Sequence, residues 1–142
     1  MDDLEFFPMS IGKLNKQMQK RFSEELIPCD LSSAHAMYLI VLFGNDGLTM
    51  KELTESVNMN KANTTRVITD LNVKGYFYND LTKEGSRKYK VFLTEEGKKA
   101  AEIIRSAITK MLDNIFSILT DTERAQYIAI LRKIITNINN NL

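Results

Sequence analysis

Residues 49–97 constrain this chain more than any other stretch: TMKELTESVNMNKANTTRVITDLNVKGYFYNDLTKEGSRKYKVFLTEEG. Thr49 and Glu52 form a T-x-x-E capping box that opens a helix of about nine residues, with Leu53 and Val57 facing its core. Asn58-Met59-Asn60 is the turn, and Asn60 is a good N-cap for a second helix over 61–74, which Gly75 terminates. Tyr76-Phe77-Tyr78 begins a strand and Thr82–Ser86, with Gly85, makes a turn-rich tip. The return strand Tyr89–Leu93 alternates Tyr89, Val91 and Leu93 against Lys88, Lys90 and Phe92. Helix, tight turn, helix and basic hairpin, in that order, predict a winged helix-turn-helix, a module that lays one helix in the major groove of DNA.

Around this lobe the periodicity predicts four more helices, so the expected class is mainly α, with about six helices and a two-stranded β-hairpin wing. A first helix over 8–27 carries Ile11, Leu14, Met18 and Phe22 at helical spacing and ends near Pro28. Ser32 or Ser33 caps a second, whose body AHAMYLIVLF is apolar nearly all round and therefore buried. Gly44–Gly47 is a loop. Thr94–Gly97 starts a long helix over 95–119 with the stripe Ile104, Ile108, Met111, Leu112, Ile115 and Leu119. Thr120–Glu123 is another capping box, opening a last helix with Tyr127, Ile128, Leu131, Ile134, Ile135 and Ile138.

Charge supports the DNA reading where net composition does not. The whole chain is +1, but residues 49–93 hold eight Lys/Arg against five Asp/Glu, whereas residues 1–48 hold four against seven. Positive charge concentrated on one module suits phosphate contact. In the helix over 61–74, Thr64, Val67, Ile68 and Leu71 follow the i, i+3, i+4, i+7 pattern that pins a helix to a core. The opposite surface presents Lys61, Asn63, Thr65, Arg66, Thr69 and Asp70. Arg can grip guanine O6 and N7, Asn adenine N6 and N7, and a Thr methyl can touch thymine. Lys61 suits phosphate, and Asp70 is expected off the groove or paired with Arg66 or Lys74. The candidate DNA-binding set is Lys61, Asn63, Thr64, Thr65, Arg66, Thr69, Lys74 and, on the wing, Lys83, Arg87 and Lys88, with Arg87 placed to enter the minor groove.

Several function classes fall away. One cysteine, Cys29, allows no intrachain disulfide, and with one histidine, His35, there is no zinc-finger ligand set. Cys29 follows Pro28, next to Asp30, with no adjacent Lys or His to lower its pKa, and reads as an inert thiol. His35 reads as a capping or packing residue. No paired-carboxylate, nucleophile–base or phosphate-cradling pattern stands out, so no enzyme, cofactor or metal is expected. No run of about 18 apolar residues exists and the first ten residues are acidic rather than basic, so neither a membrane span nor a signal peptide is expected, and the expected location is cytoplasmic.

At these residues the chain resembles the MarR family of bacterial transcriptional regulators. LSSAHAMYLIVL is similar to the family's Leu-Thr-x-x-Gln opening of its second helix, with His35 in place of Gln. LTMKELTESVNMNKANTTRVITDLNVKGY is similar to its helix-turn-helix, and VFLTEEGKKA to the strand and Leu-Thr-x-x-Gly that follow. The family's wing commonly has Asp-x-Arg; here Gly85-Ser86-Arg87 stands there, with Glu84 as the neighbouring acid. The resemblance implies one domain over 1–142, with residues 31–97 as the DNA-binding lobe and residues 1–30 and 98–142 as dimerisation helices. It implies a homodimer on a pseudo-palindromic duplex, acting as a ligand-responsive repressor. The apolar residues Leu4, Phe6, Phe7, Ile11, Met18, Ile108, Ile115, Phe116, Ile128, Ile135 and Ile138, more than one small domain can bury, point to a dimer independently.

The family also implies a pocket for a small apolar or aromatic effector, for which Met9, Leu14, Met18, Met37, Tyr38, Ile104 and Met111 are candidate lining residues. The alternatives are a winged helix that binds protein through the hairpin and Tyr76 and Tyr78, and a helical ligand-binding protein without DNA affinity.

Overall fold

The computed structural model describes residues 1–57, 59–80 and 90–141. Its elements run α1 (Asp3–Leu26), α2 (Ser33–Gly44), β1 (Leu48–Thr49), α3 (Met50–Val57), α4 (Lys61–Val73), β2 (Phe77–Asp80), β3 (Lys90–Leu93), α5 (Glu95–Ile115) and α6 (Asp121–Asn141), with a 3-10 turn over Ile27–Cys29. The mainly helical, winged helix-turn-helix class is thus as expected. The chain divides into two compact units, residues 1–108 and 109–142. Among the described residues no single helix is long and apolar enough to cross a membrane.

Helix α1 starts five residues earlier than its apolar spacing suggests. Asp2 caps it, accepting from the Glu5 N–H at 3.1 Å, and Pro8 sits inside rather than at the boundary. A proline has no N–H for the carbonyl four residues back, so Pro8 leaves out one ladder bond, that to Leu4, in the second turn of the helix. Only Phe22 and Leu26 of α1 are buried. Helix α2 is central to the first unit and packs on α1, α3, α4 and β3. Ala36, Tyr38, Leu39 and Leu42 are its fully buried residues, and Arg105 of α5 lies over the Phe43 ring, 5.9 Å from its centre.

The sheet has three strands, in the order β1-β3-β2, where a two-stranded hairpin was expected. Leu48 pairs with Val91 and Thr49 with Lys90, both antiparallel. A two-residue strand is too short to carry any alternation, so only the pairing with β3 reveals it. On the other side Phe77 pairs with Leu93 and Asn79 with Val91. Phe77, Val91 and Leu93 face the core, and Tyr78 stacks on Phe92 on the outer face at 5.4 Å.

Helix α5 ends at Ile115, four residues short of its expected end at 119, because the backbone turns over 116–119 before a new cap. In the second unit Thr120 and Glu123 form the reciprocal capping box, at 3.1 and 2.9 Å. Arg124 pairs with Asp113 at 2.8 Å and covers the Phe116 ring, which meets Tyr127 edge-on. Helix α6 buries no residue at all.

Candidate nucleic-acid interface

Three local devices set the ends of α3 and α4. Thr49 Oγ1 accepts from the Glu52 N–H at 3.2 Å to start α3. The Asn60 side chain accepts from the Asn63 N–H at 2.8 Å to start α4. At its far end α4 stops at Val73, with Lys74 as C-cap. Gly75 takes φ +81°, and the Tyr76 N–H bonds back to the Leu71 carbonyl at 2.9 Å. This is a Schellman closure, which needs a left-handed residue and therefore favours glycine. The same corner is tied to the start of α5. Thr94 Oγ1 donates to the Gly75 carbonyl at 2.6 Å and accepts from the Gly97 N–H at 3.0 Å. A Cβ on Gly97 would run into the Tyr76 carbonyl oxygen, which is why Leu-Thr-x-x-Gly ends in glycine here.

With its ends fixed, α4 buries Thr64, Val67, Ile68 and Leu71. Lys61, Thr65, Arg66, Thr69 and Asp70 are exposed on its surface, and Asn63 is half-buried. The Thr65 hydroxyl donates to the Lys61 carbonyl at 3.0 Å and the Thr69 hydroxyl to the Thr65 carbonyl at 2.8 Å. With their protons committed to the helix, both threonines offer outward a methyl and an acceptor oxygen. Arg66 Nη2 donates to Asn63 Oδ1, so the two residues best suited to bidentate base contact hold each other.

One expectation needs correction, and of the two placements expected for Asp70 the pairing is not found. Thr64 cannot meet DNA: it is fully buried, and its hydroxyl bonds to Tyr38 of α2 and Thr54 of α3. Its place on the core-facing stripe decides its environment. Asp70 pairs with neither Arg66 nor Lys74. Its carboxylate meets His35 Nε2 at 3.4 Å, while Lys74 reaches Asp30 Oδ2 at 3.8 Å. Both exposed pairs are worth little in stability, yet both link the junction of α1 and α2 to the second half of α4. His35 also closes the cap of α2. Its Nδ1 lies 2.6 Å from Ser32 Oγ, and its N–H donates to that oxygen at 3.2 Å. The capping role expected of His35 is therefore present, and its reach to α4 is not something local sequence reports.

On the wing, Lys90 is exposed at the start of β3. Lys83, Arg87 and Lys88 lie outside the described residues. Of the effector-pocket candidates, Tyr38 and Ile104 are fully buried and Met111 nearly so, Leu14 and Met18 are half-buried, and Met9 and Met37 are exposed. A cleft of about 470 Å³ opens elsewhere, lined by Ser23, Ile27, Asp30, Leu31, Ser32, His35 and Lys74. Cys29 is half-buried in the 3-10 turn. Among the described residues no cluster of three or more His, Cys, Asp or Glu side chains is placed to hold a metal.

No family model matches the chain. It is 23% identical over 128 residues to the uncharacterized HTH-type transcriptional regulator YybA of Bacillus subtilis, covering 90% of this chain and 85% of that protein. Among solved structures, a MarR transcriptional regulator from Methanosarcina mazei Go1 superposes with a TM-score of 0.88 at 25% identity, covering 100% of this chain and 95% of its own. The MepR–DNA complex of S. aureus shares the fold, with a TM-score of 0.80 at 20% identity over 94% of this chain and 98% of that one. In element order and fold the chain is like solved MarR transcriptional regulators, and along most of its length it is similar to HTH-type transcriptional regulators.

Proposed function

We propose that this chain is a sequence-specific DNA-binding regulator of transcription that works as a homodimer on a pseudo-palindromic duplex, with α4 as the reading helix. The observation that carries this is the division of α4 into two faces. Four buried residues anchor one, and Lys61, Asn63, Thr65, Arg66 and Thr69 lie outside that buried row, in a helix bounded by caps at both ends. Arg66 and Asn63 supply bidentate base contacts once their mutual bond exchanges for base edges, and Lys61 and Lys90 supply phosphate contacts. The wing residues Lys83, Arg87 and Lys88 flank the groove in this reading, and Lys74 contributes charge beside it. That a protein of this fold has been solved as a MepR–DNA complex supports the reading.

The dimer is supported by apolar surface that a lone chain leaves in water. Leu4, Phe6, Phe7, Met9 and Ile11 at the start of α1, and Ile130, Ile134, Ile135 and Ile138 on α6, are all exposed large hydrophobics. A two-fold pair reads two half-sites separated by about one helical turn of DNA, ~10 bp. A ligand-released repressor is the regulatory form that fits this architecture, since an effector that prefers one of two dimer conformations changes half-site spacing.

The test is selection from a random duplex library, then a salt titration on the selected sequence. Enrichment of a two-fold pseudo-palindrome, bound with affinity falling steeply in salt through counterion release, is the expected outcome. Recovery of no preferred duplex, together with retained binding to a protein partner through the hairpin, overturns it in favour of a protein-binding winged helix.

A further inference from the structure

The buried face of α4 holds one polar side chain in an otherwise apolar row. Thr64 shares that face with Val67, Ile68 and Leu71 and is 0% exposed. Its hydroxyl is the meeting point of three elements. Tyr38 OH of α2 lies 2.8 Å from Thr64 Oγ1, and Tyr38 is itself 0% exposed. Thr54 Oγ1 of α3 donates to Thr64 Oγ1 at 2.9 Å. Thr64 Oγ1 donates in turn to the Asn60 carbonyl at the cap of its own helix, at 3.1 Å. The single Thr54 proton is also within reach of the Met50 carbonyl, at 2.8 Å, which ties the cluster to the start of α3.

A valine would fill this volume without bringing a hydroxyl into the core. Polar groups sealed from water are costly unless fully bonded, and bonded they are directional where apolar packing is not. The three apolar neighbours hold α4 on the core but tolerate some rotation about its axis. The hydroxyl cluster does not, because Tyr38 of α2 and Thr54 of α3 approach Thr64 from two other elements and only one rotation of α4 satisfies both together. Rotation matters on the other side of the helix. A turn of about 20° moves a side-chain tip about 6 Å from the axis by roughly 2 Å. That exceeds the tolerance of about 0.5 Å for a positioned binding group. Asn63, Thr65 and Arg66 lie within two residues of Thr64 in sequence and move with it.

We propose that the Tyr38–Thr64–Thr54 hydroxyl cluster sets the rotation of α4, making Tyr38 and Thr64 positioning residues for base reading although neither touches DNA. This rests on the DNA-reading role proposed above. It also gives Tyr38 a role other than lining an effector pocket.

The test measures binding of the full-length protein to its selected duplex and to a scrambled duplex of the same length, for wild type, Tyr38→Phe, Thr64→Val, Thr64→Ser and the core control Leu26→Val. Melting temperatures of all five are recorded, and binding is compared well below the lowest. Tyr38→Phe and Thr64→Val are expected to lower the selected-to-scrambled affinity ratio about tenfold, within the range set by one bidentate base contact. Scrambled-duplex affinity and its salt slope stay at wild-type values. Thr64→Ser, which keeps the hydroxyl, retains most of the ratio, and Leu26→Val loses stability without losing the ratio. An unchanged ratio in both folded hydroxyl variants overturns the proposal. So does a parallel loss on both duplexes that tracks melting temperature across all variants, since that is the signature of stability alone. If wild type itself prefers no duplex, the DNA-reading role fails, and this assignment fails with it. Should Thr64→Val not fold, Tyr38→Phe decides the matter by itself.

Discussion

Helices α4 and α6 begin alike and end up in opposite situations. Each starts at a side-chain cap, Asn60 for α4 and Thr120 for α6. Helix α4, of 13 residues, buries four of them and turns a polar face to solvent. Helix α6, of 21 residues, buries none, and its isoleucines at 130, 134, 135 and 138 are between 43% and 57% exposed. In α4 the chain's own core satisfies the apolar face, so the polar face is free for another molecule. In α6 the apolar face is what remains open, the surface that the proposed dimer would cover. In the function proposed above, one helix reads and the other joins.

The contrast can be broken from the α6 side first. A double substitution, Ile134→Asp with Ile138→Asp, places two charges on the exposed apolar face. It is expected to shift the protein from dimer to monomer in sedimentation, and to weaken binding to a two-half-site duplex by about 100-fold or more as the linkage between sites is lost. An unchanged sedimentation coefficient would show that α6 is not the joining surface. From the α4 side, Leu71→Ala removes a fully buried side chain. It is expected to cost about 2–5 kcal/mol in chemical denaturation, whereas truncating exposed Ile130 costs little in the monomeric reference state.

Smaller effects sharpen the division within α4. Arg66→Ala is expected to cost about 1–3 kcal/mol of discrimination and to relax one base position in a repeated duplex selection. Lys61→Ala should weaken selected and scrambled duplexes alike and flatten the salt slope by about one unit. Indistinguishable behaviour of these two variants would remove the split between reading and anchoring residues. The smallest expected change comes from the caps: Asn60→Ala and Thr120→Ala should each lower stability by about 1 kcal/mol, read from thermal melts.

Much of the lobe is legible in the sequence because its signals are local. A capping box, an Asn at an N-cap, a Gly after a helix and a stripe at helical spacing each act within a few residues, and α3, α4 and the start of α5 follow from them. Strand β1 was not legible, since two residues carry no period and Leu48–Thr49 becomes a strand only by pairing with β3. The early start of α1 was not legible in its apolar spacing, which begins only at Ile11, whereas the cap is at Asp2. The candidate site divides in the same way. Exposure of Lys61, Thr65, Arg66 and Thr69 follows from helical spacing, as does burial of Thr64. The partners of Asp70 and Lys74 do not, because His35 and Asp30 are far away in the chain.

By itself the sequence determined the order of the elements, the ends of α4 and which of its faces turns inward, since propensity, capping and periodicity act between neighbours. Tertiary structure alone decided the third strand, the pairing of Asp70 with His35 and the convergence of Tyr38, Thr54 and Thr64 on one buried hydroxyl. Those are contacts between residues distant in the chain, and a hydrogen bond exists only where packing has already brought donor and acceptor within about 3 Å.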